Sequence, residues 1–269
     1  MDYKSFIMRY FITIILFNVW FPVAHAQKLF ERPYIIGASV SDGYEHTERF
    51  GGPRSDALAL DIYLKKIIKS PQLKCTNLGK RFCFIHPLGI SHQQVSVALK
   101  NKPSVVIAVD QLFWQLYGNF SSSEQRLKTF QAALKKLDPI TCPLVIGNIP
   151  DASHSLGKML AASQIPDIET IDTANKILNA WVKKRTNTAI IDLAAFMKCS
   201  VSNQEIKLKH ITYPAGTTKK FLQTDMLHPT AAGAMALSYA VIESLQTICE
   251  IKDEHFIFPE AKKEPAVAP

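Results

Sequence analysis

A serine at position 39 and an aspartate–histidine pair at 225 and 228 stand near opposite ends of this 269-residue chain. Ser39 follows the apolar run Tyr34-Ile35-Ile36, inside Gly37-Ala38-Ser39-Val40-Ser41-Asp42-Gly43, where an extended segment ends and the backbone turns. A hydroxyl there can project into a cleft, with backbone N–H groups facing a developing oxyanion. Asp225 and His228 are three residues apart in Asp225-Met226-Leu227-His228-Pro229. That spacing lets the carboxylate reach Nδ1 of the imidazole and fix its tautomer, leaving Nε2 to face a serine. Pro229 restricts His228 to extended geometry on the loop before a helix. Nucleophile, base and orienting acid are the parts of a hydrolytic triad, recognised by role rather than by position in the chain. Position 41 is serine, so the first motif is not the G-x-S-x-G elbow. Alone, Ser39 also fits a turn-capping serine; the Asp225–His228 pair carries more weight.

The elements that must bring these groups together show an alternating pattern. Apolar, strand-length runs occur at Tyr34–Gly37, Arg81–Ile85, Ser104–Val109, Pro143–Gly147 and Ala189–Leu193. Most are continuous rather than alternating, as in strands buried on both faces of a parallel sheet. Helical patterns cover Ser55–Ser70, Ser123–Leu137, Thr170–Lys184 and Thr230–Cys249, the last with Pro229 near its start. The order predicts an α/β fold, a three-layer α/β/α sandwich on a five-stranded, mostly parallel sheet. Residues 150–170 read as an irregular insertion, and 199–224 as another, with a hairpin around Tyr213-Pro214-Ala215-Gly216.

The first 26 residues have the pattern of an export signal: Lys4 and Arg9, then the mostly apolar Tyr10–Trp20, Pro22, and Ala24-His25-Ala26 as a cleavage site. Cleavage near Ala26 predicts a periplasmic or secreted chain, with a domain over 27–250 and a loosely ordered tail over 251–269. An uncleaved anchor is the alternative. Hydrophobic residues make up 47%, ample for one core. The formal charge of +8 drops by one when Lys4, Arg9 and Asp2 leave with the signal. The basic excess is spread along helical stretches such as Lys183-Lys184-Arg185, a solvated face that permits peripheral contact with an anionic membrane surface. No motif supports nucleic-acid binding. The five cysteines show no zinc spacing. Export predicts pairing of Cys75 with Cys83 and of Cys199 with Cys249, leaving Cys142 free. His46, His86 and His92 lack a partnered carboxylate and read as surface or core residues. No metal or organic cofactor is called for.

From Ile35 to about Val241 the chain resembles the GDSL-type SGNH hydrolases, a family of esterases, lipases and acylhydrolases. Ile36-Gly37-Ala38-Ser39-Val40-Ser41-Asp42-Gly43 resembles the first block, with Ala38 where the name-giving aspartate usually stands. Asp225-Met226-Leu227-His228-Pro229-Thr230 matches the last block. Gly147-Asn148-Ile149-Pro150-Asp151 is similar to a stretch in the lecithinase and haemolysin-like branch. The resemblance implies Ser39, His228 and Asp225 as catalytic, with an oxyanion hole from the Ser39 N–H, Gly89 in Pro87-Leu88-Gly89-Ile90-Ser91, and position 110. There the family expects an amide-donating asparagine, whereas this chain has Ala108-Val109-Asp110-Gln111. A carboxylate accepts but cannot donate, so three alternatives stand: a protonated Asp110, a donor from Gln111 or Asn119, or impaired hydrolysis. On that register Asp110→Asn raises kcat by about tenfold or more. Phe113, Trp114 and Tyr117 are candidates to line the substrate pocket, with core packing as the alternative. The function implied is serine-dependent cleavage of an ester, lipid or acylated glycan, through an acyl-enzyme. A catalytically weak lipid- or glycan-binding protein is the second expectation.

Overall fold

The computed structural model of the chain describes residues 28–44, 59–70 and 73–259. The export signal, His46, the first residues of the helix expected over 55–70 and the end of the tail lie outside them. Strands β1 (Pro33–Ile35), β2 (Thr76–Asn77), β3 (Val105–Ala108), β4 (Leu144–Gly147) and β5 (Thr188–Ile191) form one parallel sheet in the order β2-β1-β3-β4-β5. Helices α1 (Ser39–Asp42), α2 (Leu60–Ile67), α3 (Pro87–Lys100), α4 (Phe113–Leu116), α5 (Ser123–Leu137), α6 (Ile168–Val182), α7 (Leu193–Val201) and α8 (Ala231–Gln246) follow in chain order.

The two faces of the sheet explain its continuous apolar runs, because side chains alternate across a strand and both sides are covered. Ile36, Val106, Ala108, Leu144 and Ile146 pack with residues of α3, α5 and α6, including Val95, Phe130 and Leu178. Ile35, Val105, Ile107, Val145 and Ile191 pack with α2 and α8 through Leu64, Ile67, Ile242 and Leu245. Side-chain caps start three of the long helices, α5, α6 and α8: Ser122 accepts from Gln125 N–H, Asp167 from Thr170 N–H and Thr230 from Gly233 N–H. The three-layer sandwich expected from the pattern is the fold observed.

The expected second strand is corrected. Arg81–Ile85 is a surface turn with a 3-10 helix over Cys83–Ile85, and the edge strand is Thr76–Asn77, several residues earlier. Two polar residues carry no periodic signal, whereas the run 81–85 is largely apolar yet buries only Cys83. The hairpin is β6 (Ile206–Lys207) against β7 (Thr212–Tyr213), so Pro214–Gly216 follow it instead of forming its turn. The start of the tail is also fixed: Phe256 bridges to Ile68, packs edge-on against Phe30 and is buried.

All five cysteines are free thiols, which corrects the expected pairing. Cys83 is buried with the α3/α5/α6 face, while Cys75 packs beside the α2/α8 face, so the sheet separates them. Burial pushes both thiols up to about 12, leaving little thiolate at neutral pH. Alkylation of the native protein is therefore expected to spare Cys75 and Cys83, and unfolding without reductant to expose all five thiols. Non-reduced peptide mapping that finds a disulfide would contradict this.

Candidate active site

In the order β2-β1-β3-β4-β5 the chain leaves β1 first to one side and then to the other, so the crevice beyond the carboxyl ends of β1 and β3 is a topological switch point. Ser39 follows β1 and Asp110 follows β3. A Cβ on Gly37 would lie 2.2 Å from Asp110 Oδ1 and 2.3 Å from Ser41 Oγ, so only glycine lets these segments approach so closely.

Four donors converge on the Asp110 carboxylate. Oδ1 accepts from the Ala38 N–H at 3.0 Å and the Ser41 hydroxyl at 2.6 Å. Oδ2 accepts from the Val40 N–H at 2.8 Å and the Ser41 N–H at 3.4 Å. Burial raises the pKa of Asp110, while the Ser41 hydroxyl and the three N–H groups pull against it. The oxyanion role expected for Asp110 is thereby corrected. Its oxygens clamp the α1 turn from behind the nucleophile, where an acceptor is needed, and no donor has been lost there.

The second half of the site comes from the loop before α8. Asp225 Oδ1 accepts from the N–H groups of Leu227 and His228, closing a tight turn that Met226 completes at φ 60°. The Ser155 hydroxyl, from the insertion after β4, donates to the Asp225 carbonyl. Within this turn His228 Nδ1 lies 2.6 Å from Asp225 Oδ2, and Nε2 lies 2.8 Å from Ser39 Oγ. All three residues are buried. Burial works to raise the Asp225 pKa, but the hydrogen bonds and charge of His228 and the two N–H groups outweigh it and hold the carboxyl below its ordinary value. An ionised Asp225 accepts the proton of Nδ1, so Nε2 is left as acceptor for the Ser39 hydroxyl. The Tyr44 ring lies against the imidazole at 4.2 Å. The chain thus brings Ser39, His228 and Asp225 into one hydrogen-bonded line across 186 residues or more, the separation of Ser39 from Asp225.

Other expected site residues separate. Gly89 sits in the first turn of α3 against the His86 ring, where a Cβ would meet Cδ2 at 2.1 Å, and it does not line the cavity beside Ser39. The first glycine after β2 is Gly79, packed on the end of α1: its Cβ would lie 2.6 Å from the Asp42 N. Sequence reasoning missed it because the second strand had been placed too late. Asn77 and Ser41 were missed as well; Asn77 Nδ2 donates to the Ser41 carbonyl and to Asp61, tying α1 to α2. The only signal for them is their adjacency to Gly79 and Ser39.

Tyr117 is a core residue, its hydroxyl donating to the Pro150 carbonyl and accepting from the Ala152 N–H. Phe113 and Trp114 do line a narrow cavity of about 60 Å³ that opens beside Ser39. Leu193, Phe196 and Met197 of α7 line it too, with Leu227 and Leu237. The Trp114 indole N–H is buried in this wall with no acceptor among the described residues.

No protein-family model and no curated protein matches this sequence. Solved structures do. The lipase/acylhydrolase from Enterococcus faecalis superposes with a TM-score of 0.53 at 16% identity, over 86% of this chain and 100% of its own. TesA gives 0.49 at 13% identity, over 80% and 98%. A catalytic mutant of an acetylxylan esterase from Geobacillus stearothermophilus gives 0.46 at 14%, over 82% and 95%. The first similarity is the one that bears on architecture, and at this identity it bears on the backbone alone. The five-stranded parallel sheet and its flanking helices give this chain the same α/β fold as the Enterococcus lipase/acylhydrolase, over 86% of its length.

Proposed function

We propose that this protein is a serine ester hydrolase of the SGNH type, and that it cleaves esters carrying an apolar acyl chain. The observation that carries the proposal is the line from Asp225 Oδ2 to His228 Nδ1, at 2.6 Å, and from His228 Nε2 to Ser39 Oγ, at 2.8 Å. His228 takes the hydroxyl proton as Ser39 Oγ attacks the ester carbonyl, and returns it to the leaving alkoxide. Water then attacks the acyl-enzyme by the same relay. Asp225 orients the imidazole and stabilises its charged form. The Ser39 N–H, at the first position of α1 where no intrahelical acceptor exists, is the donor for the oxyanion.

The walls of the cavity support the substrate class. Phe113, Trp114, Leu193, Phe196 and Met197 suit a hydrocarbon chain better than a sugar. The binding-protein alternative rested on Asp110 as a lost oxyanion donor, and that residue has another task. Export with cleavage near Ala26 belongs to the same proposal, on the pattern of residues 4–26.

A panel of p-nitrophenyl esters tests this. Medium-chain esters are expected to react with a higher kcat/KM than the acetate, and Met197→Trp, which fills the cavity, to reverse that preference. An acetate preference unaffected by Met197→Trp would rule out the acyl pocket.

A further inference from the structure

The apolar run that resembles a strand but is not one has no role in the catalytic line. In the turn 80–86, Phe82 is 61% exposed, Phe84 46% and Ile85 72%. Together these three side chains present roughly 300–400 Å² of apolar surface, comparable with the largest patch on an ordinary monomer. The turn is held in shape. Cys83 is buried beneath it, its N–H donates to the Lys80 carbonyl, and the Ile85 N–H donates to the Phe82 carbonyl. Arg81 joins the turn to the nucleophile's own helix, its N–H and Nε both donating to Asp42 Oδ2.

We propose that this turn docks the protein on an anionic lipid bilayer, setting the mouth of the Ser39 cavity against the membrane; the proposal rests on the acyl-ester reading above. Two observations choose a bilayer. First, the patch adjoins a wall of the cavity: the Phe84 ring lies 5.5 Å from Trp114, which lines the cavity beside Ser39. An acyl chain leaving a bilayer at Phe84 therefore meets Trp114 as the next apolar surface. Second, the patch carries an exposed cation. Lys80, in the turn itself, is exposed, Asp42 is taken up by Arg81, and the whole chain carries +8. Apolar tips beside a lysine are the pattern of a segment that inserts at the headgroup boundary and is drawn there by anionic lipid.

The test uses the full chain carrying Ser39→Ala, so that vesicles stay intact, in co-flotation with phosphatidylcholine vesicles with and without phosphatidylglycerol. Adding Phe82→Ser and Ile85→Ser is expected to weaken binding about tenfold or more, and Lys80→Glu to remove most of the gain from phosphatidylglycerol. A Phe82→Trp chain checks the intact turn: its added emission is expected to shift to the blue on phosphatidylglycerol vesicles. Equal binding by the double variant, or no shift in Phe82→Trp emission, overturns the proposal. So does a parent chain that is a dimer and becomes monomeric in the double variant, since a second copy would then cover the patch. With active protein, the double variant is expected to keep its kcat/KM on a soluble p-nitrophenyl ester and to lose about tenfold on an ester presented in vesicles; equal loss on both overturns docking. If the wild type cleaves no ester at all, the acyl-ester reading fails, while the vesicle measurements still decide the docking.

Discussion

Ser39→Ala and His228→Ala are each expected to lower kcat/KM for a p-nitrophenyl ester by a factor on the order of 10⁴ or more, and the double variant to be scarcely worse than either. Nucleophile and base act as one unit. Without the hydroxyl there is nothing for the imidazole to deprotonate, and without Nε2 the hydroxyl 2.8 Å away has no base. Asp225→Ala is expected to cost less, because it removes the orientation and charge stabilisation of the base but leaves the base itself. A fluorophosphonate probe should label the wild type at Ser39 and leave Ser39→Ala unlabelled. Labelling at another serine, or wild-type turnover by Ser39→Ala, would remove the proposed chemistry altogether.

The second large effect concerns Asp110, and its sign is opposite to the one the sequence motif implies. Asp110→Asn is expected to lower kcat about tenfold or more and to lower Tm. Oδ1 faces the Ala38 N–H and Oδ2 faces the Val40 N–H, so either orientation of an asparagine amide sets N–H against N–H. A buried donor left facing another donor costs on the order of 1–3 kcal/mol. The strain falls on residues 38–41, the turn that aims Ser39 Oγ at His228. Asp110→Ala, which leaves the same N–H groups unpaired without setting a donor against them, should also lower kcat. Measuring kcat and Tm for both variants decides the matter. A rise in kcat for Asp110→Asn would restore the oxyanion-hole assignment and remove the clamp.

Much of this was legible before any coordinates. Continuous apolar runs at 34–37, 104–109, 143–147 and 189–193 had to be strands covered on both faces, and the helical patterns between them had to cover those faces. Asp225 and His228 could be paired from their spacing, because a three-residue turn is a local structure and needs nothing from the rest of the chain. Ser39 could be placed at a strand end for the same reason.

What the sequence could not determine depends on contacts between distant segments. β2 exists because Leu78 N–H and its neighbours pair with β1, a long-range bond that two polar residues do not announce. Misplacing that strand drew attention to Gly89, away from Gly79 at the end of α1. Tyr117 and Trp114 are alike as aromatic residues after a strand, yet one spends its hydroxyl on Pro150 and Ala152 in the core and the other lines the cavity. Cys75 and Cys83 are eight residues apart in the chain but belong to opposite faces of the sheet. Asp110 is the sharpest case. As a residue type it is an acceptor that a motif had no use for; only the close approach of β1 and β3 at the switch point puts four donors around it. The sequence by itself determined the layers and the chemistry of the catalytic groups, through local periodicity and spacing. Which buried group donates and which accepts was decided by tertiary structure, because a hydrogen bond has meaning only once both partners are in place.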